Sequence, residues 1–133
     1  MSNFFHALVW IDHVEARIIH FDAKESEHVV VRSDLKNHHI HHKANSGDSG
    51  HLPVDKAYLA RVSEALARSG AILITGPANA KTELASHIRE RLPHIGTRIR
   101  GVQPLDHPTE GQLLKHGREF FRADERMNTR LAG

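Results

Sequence analysis

Residues Ala71-Ile-Leu-Ile-Thr75 form a continuous apolar run with a helical pattern on either side. Five residues are too few for a helix, and a run without polar alternation reads as a central strand covered on both faces. Before it, from Val54 onward, Tyr58, Leu59, Val62, Ala65 and Leu66 recur at three- and four-residue spacing, with Gly70 as the helix stop. After it, Gly76-Pro77 breaks the strand, and Lys81 to Leu92 carries Leu84, Ile88 and Leu92 on one face until Pro93 ends the helix. A buried strand between two amphipathic helices commits this half of the chain to an α/β sheet with helices packed on it.

The N-terminal part has a different period. Ala7-Leu-Val-Trp-Ile-Asp12 and Ala16-Arg-Ile-Ile-His-Phe21 are short apolar runs joined by His13-Val-Glu15, and Glu27-His-Val-Val-Val-Arg32 is rich in β-branched residues. Together they read as an antiparallel meander, with Asp12 capping the first hairpin and Trp10 and Phe21 among its larger side chains. Thr97 to Val102 reads as a last strand, with Ile99 facing one way and Arg98 and Arg100 the other. Thr109 and Gln112 have the spacing of a capping box ahead of Leu113, Leu114, Phe120 and Phe121, and the polar tail 124–133 is expected to fray. The expected fold is therefore α/β: one domain over 1–133, a five-stranded mixed sheet of meander plus βαβ crossovers, and three main helices.

Composition narrows the function classes. The chain has 133 residues, 39% hydrophobic and 26% charged, which suits a globular domain. Lys and Arg exceed Asp and Glu by 18 − 16 = 2, too small an excess for a protein that coats DNA. Cysteine is absent, which removes disulfide and thiolate chemistry and agrees with a cytoplasmic location. No apolar run approaches the roughly 20 residues of a membrane span, and the first residues lack a signal-peptide pattern. Thirteen histidines are the unusual count, so the chain gains positive charge as pH falls through about 6.5.

Five of those histidines fall in the irregular stretch 37–51, as His38-His-Ile-His-His42 and His51. If the segment is extended, His39 and His41 point to one side. Three readings stay open for it. The histidines can form a plain solvated loop. They can contact RNA or the ribosome together with Lys36, Lys43 and Lys81, the candidate residues then being Lys36, His38, His39, His41, His42, Lys43 and Lys81. Or His39, His41 and His51 can hold a divalent metal, which would serve a metal-dependent hydrolase. No cofactor is otherwise called for, and no catalytic residue is assigned.

Other constellations carry less. Gly76-Pro-Ala-Asn-Ala-Lys81 lacks the second glycine before Lys that a phosphate loop requires, and Asn79 reads as an ordinary N-cap. Asp12, Glu15 and Asp106 do not make a convincing carboxylate set for a two-metal nuclease. Arg89, Arg91, Arg98 and Arg100 offer a basic stripe, balanced by Glu83 and Glu90.

The order of these elements, with Val9-Trp-Ile-Asp-His-Val-Glu-Ala-Arg-Ile18, Ile72-Leu-Ile-Thr-Gly-Pro-Ala-Asn-Ala-Lys81 and Asp106-His-Pro-Thr-Glu-Gly-Gln-Leu-Leu114 followed by Phe120-Phe121, resembles the middle domain of archaeo-eukaryotic release factors and Pelota. It is also similar to small bacterial proteins grouped with them as translational-machinery components. The resemblance spans about positions 5 to 123 and implies a ribonuclease-H-like fold and a translation-associated, ribosome- or RNA-binding role. In release factors the loop between the third strand and the first helix carries Gly-Gly-Gln. That motif occurs nowhere in this chain, so the resemblance does not imply peptide release. A homo-oligomeric interaction module is the remaining alternative.

Overall fold

The computed structural model describes residues 4–34 and 54–132. Strands β1 (His6–Ile11), β2 (Glu15–Phe21) and β3 (Ser26–Arg32) are followed by helix α1 (Lys56–Ala65), strand β4 (Ala71–Gly76), helix α2 (Ala80–Arg91), the single turn α3 (Pro93–Gly96), strand β5 (Ile99–Pro104) and helix α4 (Glu110–Ala132). They make one five-stranded mixed sheet in the order β3-β2-β1-β4-β5. β1–β2 and β2–β3 are antiparallel, whereas β4 lies parallel to β1 and to β5. This is the α/β fold expected from the sequence.

Both hairpins of the meander close in the same way. Oδ1 of Asp12 accepts the amides of Val14 and Glu15 at 2.8 Å each, and Oδ1 of Asp22 accepts those of Lys24 and Glu25 at 2.8 and 2.7 Å. Each aspartate amide in turn donates to the carbonyl of Glu15 or Glu25 at 3.0 Å. An aspartate followed three residues later by glutamate is thus used twice as an Asx turn, which satisfies backbone donors at a reversal.

The central strands are buried on both faces because a helical layer covers each. Ala7, Val9, Ile11, Ile18, Ile72 and Ile74 pack under α1 and α2, against Tyr58, Val62, Leu84 and Ile88. Leu8, Trp10, Ile19, Phe21 and Leu73 face α4 and meet Leu113 and Phe121. Each such aliphatic side chain taken fully out of water stabilises the fold by about 1.5–3 kcal/mol before entropy is counted. Gly117 lets α4 lie close to the sheet: a Cβ there would sit 3.0 Å from the Phe21 ring.

Four boundaries depart from the sequence reading. α1 stops at Ala65, and the turn 66–69 is closed by amides of Leu66, Ala67 and Ser69 before Gly70 is reached. Gly70 instead donates its amide to Phe5 at 2.8 Å. β5 begins at Ile99, because Thr97 is occupied in closing α3, and it runs on to Pro104 because β4 offers partners as far as Gly76. The tail after Asp124 does not break the last helix, which continues to Ala132. The physical reason is twofold: no glycine or proline interrupts 118–132, and Asp124 is held by Arg100 through contacts of 2.9 and 3.3 Å. The capping box of α4 forms as read, with Thr109 Oγ1 accepting the Gln112 amide at 3.1 Å and Gln112 Oε1 accepting that of Thr109 at 2.8 Å.

Candidate functional site

β1, β3, β4 and β5 run in one direction, so their C-terminal ends meet at one end of the sheet, where α1, α2 and α4 begin. In open α/β sheets this is the end where ligands bind, because strand ends and helix starts leave backbone groups facing a common crevice. The segment 35–53 is attached here at both sides. Asp34 follows β3 and is met by Arg61 at 3.4 Å, while Val54 is buried at the start of α1. Of the residues expected to contact RNA or the ribosome, Lys36, His38, His39, His41, His42 and Lys43 lie outside the described residues, as does His51 of the metal set.

Lys81 is the candidate the structure places. It stands in the first turn of α2, and its Nζ donates to the carbonyl of Ala78, so its charge lies over the turn after β4. Asn79 occupies the N-cap position, but its side chain makes no capping hydrogen bond, which corrects the role read for it. Its backbone is already in the helical region, with φ −86° and ψ −8°, whereas an Asx cap requires an extended residue. Gly76 has a separate constraint, since a Cβ there would lie 2.2 Å from the carbonyl oxygen of Ile11. The C-terminal ends of β1 and β4 therefore approach as closely as they do only with glycine at this position.

The carboxylates at this end are engaged in structure. Asp12 caps its turn, and its carbonyl accepts the Tyr58 hydroxyl at 3.0 Å. Burial, reinforced by the charges of Asp12 and Glu15, pushes the Tyr58 phenol well above its ordinary range, so it stays a donor. Glu15 pairs with Arg17 at 3.2 Å and Arg32 at 2.9 Å. Arg17 also lies 5.0 Å over the Trp10 ring and donates to the Pro108 carbonyl at 3.2 Å. Asp106 is exposed and pairs with His107 at 3.0 Å. Among the described residues no three His, Asp or Glu side chains converge on a point that could hold a metal ion.

The arginine stripe read from the sequence is not assembled. Arg98 donates to the carbonyls of Ala67 and Ser69 at 3.2 Å, Arg100 pairs with Asp124 of α4, and only Arg89 and Arg91 remain on α2. The fold brings together a different set that sequence spacing does not show. Lys56 of α1, His87 and Arg91 of α2, and His94 of α3 line one groove. The i, i+4 spacing of His87 and Arg91 was the available signal, and the contribution of α1 was not legible without the packing.

No model of a protein family matches this chain, and no curated protein matches its sequence. Among solved structures it is similar to Pelota of Archaeoglobus fulgidus, with a TM-score of 0.58, 13% identity, and coverage of 83% of this chain and 29% of that one. Thermoplasma acidophilum Pelota follows at 0.55 and 21% identity, covering 84% of this chain and 31% of the other. The archaeal translation termination factor aRF1 matches at 0.54 and 15% identity, covering 96% of this chain and 41% of aRF1. The chain thus spans between 29% and 41% of the length of these proteins. Among the described residues no helix is long and apolar enough to cross a membrane. The chain has the fold of a domain found in Pelota and in an archaeal termination factor.

Proposed function

We propose that this protein acts in translation as an RNA- or ribosome-binding module, without peptidyl-tRNA hydrolysis. The observation that carries the reading is the fold match over 83–96% of the chain to two kinds of translation-related protein, Pelota and a termination factor. The attachment of 35–53 between β3 and α1 adds support, since this is the connection that bears the hydrolytic loop in the family the sequence resembles. Here that connection holds Lys36, His38, His39, His41, His42 and Lys43 in place of Gly-Gly-Gln, with Lys81 contributed from the start of α2. Cationic and imidazole side chains suit contact with phosphate and unstacked bases, whereas the ester attack of a release factor needs the missing glutamine and glycines.

Ribosome co-sedimentation tests the reading at low and at moderate salt. Phosphate-dominated binding predicts co-sedimentation at low salt that weakens steeply as salt rises. No co-sedimentation at either salt refutes the proposal and points to an interaction module that pairs with its own copies.

A further inference from the structure

The groove between α1 and the α2–α3 corner has a volume of about 580 Å³. Its floor is shallow and apolar, built from Ala57 and Ala60 of α1 and Ala67 of the turn after it, with Leu92 and Ile95 opposite. Four potential cations line it, Lys56, His87, Arg91 and His94, against one carboxylate, Glu64.

What sets these four apart is that they lack partners and share one groove. Six other arginines are engaged: Arg17 and Arg32 with Glu15, Arg61 with Asp34, Arg100 with Asp124, and Arg98 and Arg118 with backbone carbonyls. Arg89, Arg122 and Arg126 make no ion pair among the described residues, but they do not line a common groove with one another. Among the described residues, none of the side chains of Lys56, His87, Arg91 and His94 has an ion pair or a hydrogen bond. Three separate elements thus bring unpaired positive charge to one concave surface, in a chain whose acids and bases are nearly balanced. The half-buried His87 registers this. Burial first, then the charge of Arg91 and further that of Lys56, hold its pKa below the usual 6.5, and Glu90 opposes them only in part.

We propose that this groove binds a phosphate-bearing ligand, with the phosphate held by Lys56 and Arg91 and the imidazoles of His87 and His94 beside it. A phosphate has three acceptor oxygens for the planar fork of Arg91 and the ammonium of Lys56. The alanine floor accepts the flat face of a nucleoside, and it offers no deep pocket for the bulky anchors that a helix docked in a groove requires. For the source of the phosphate the proposal rests on the RNA- or ribosome-binding reading; a free nucleotide would present the same chemistry. Binding draws a proton onto His87, so affinity rises as pH falls, with Glu64, Glu90 and His94 as the other titrating groups around it.

Inorganic pyrophosphate is the first probe, followed through the side-chain resonances of His87 and His94. Saturating pyrophosphate is expected to raise the His87 pKa by about one unit in the parent. Lys56→Glu with Arg91→Glu, at two exposed positions, is expected to keep the parent's melting curve and to remove that shift. An unmoved His87 in the parent, or an equal shift in the variant, overturns the site. A poly-glutamate peptide that moves His87 as far as pyrophosphate overturns the phosphate assignment. A single-stranded oligoribonucleotide that binds tighter than adenosine monophosphate identifies RNA as the source, and equal binding identifies a free nucleotide. In ribosome co-sedimentation the double variant is expected to bind at least about tenfold more weakly. Loss of co-sedimentation by the parent, with the pyrophosphate shift intact, defeats the translational reading and leaves the groove standing. Unchanged co-sedimentation by the variant, with the pyrophosphate shift present in the parent and lost in the variant, assigns the groove to a free phosphate ligand.

Discussion

Replacing Gly76 with alanine should destabilise the protein, because the added methyl group would meet the main chain of the neighbouring strand. The added Cβ would stand 2.2 Å from the Ile11 carbonyl oxygen. Real contacts of this kind stay beyond 3.0 Å, so β1 and β4 must separate locally by at least 3.0 − 2.2 = 0.8 Å. The obstructing atom is main chain and cannot rotate away. Both neighbours are also committed, Gly76 through its carbonyl to the Leu105 amide at 2.9 Å and Ile11 to its pairing with Ala16. Overpacking of this sort costs about 1–3 kcal/mol, and the upper half of that range applies where backbone must move. The control is Gly111→Ala, where the nearest atom to a new Cβ is Thr109 Oγ1 at 4.0 Å. That exchange should be neutral or stabilise by about 0.5 kcal/mol, since alanine is the better helix former. Urea titration of both variants measures the difference. A Gly76→Ala protein within about 0.5 kcal/mol of the parent, at equal m-value, would show that the close strand approach is not what requires glycine.

Three further outcomes are expected. Tyr58→Phe should lose about 1 kcal/mol in the same titration, because the half-buried Asp12 carbonyl loses its 3.0 Å donor, and an unchanged midpoint would contradict that bond. Asp22 should titrate below its ordinary 3.8, because the amides of Glu25 and Lys24 hold its carboxylate; the stability it contributes is present above the unfolded value and is lost as pH falls through the folded one. Carboxyl-carbon chemical shifts followed from pH 5 to 2 check this, and a normal titration would refute the turn geometry. Replacing His38, His39, His41 and His42 with asparagine should flatten any rise in RNA affinity between about pH 7.5 and 6, as read by fluorescence anisotropy. A pH profile identical to the parent would remove the cluster as a contact, and thermal stability restored by zinc in the parent alone would support the metal reading.

The elements of this fold were legible because burial writes a period into each of them. The Ala71–Thr75 run, the stripe of Tyr58, Leu59 and Val62, and the Thr109–Gln112 box each state a local structure whose physical cause lies within a few residues. The same holds for the Asp12 turn. Boundaries were less legible where a distant partner decides them: β5 runs to Pro104 because β4 lies beside it, and α4 continues past Asp124 with Arg100 bonded to it. Charge groupings were least legible of all. Arg98 and Arg100 are neighbours in sequence, yet one is bound to carbonyls after α1 and the other to α4. Lys56 and Arg91 are 35 residues apart and line one groove. By itself the sequence determined which segments are strands and helices and which faces they bury, since those follow from short-range periodicity and capping. Only the tertiary structure decided which charges neutralise one another and which are left unpaired, because electrostatic partners are set by the packing of helices on the sheet and not by distance along the chain.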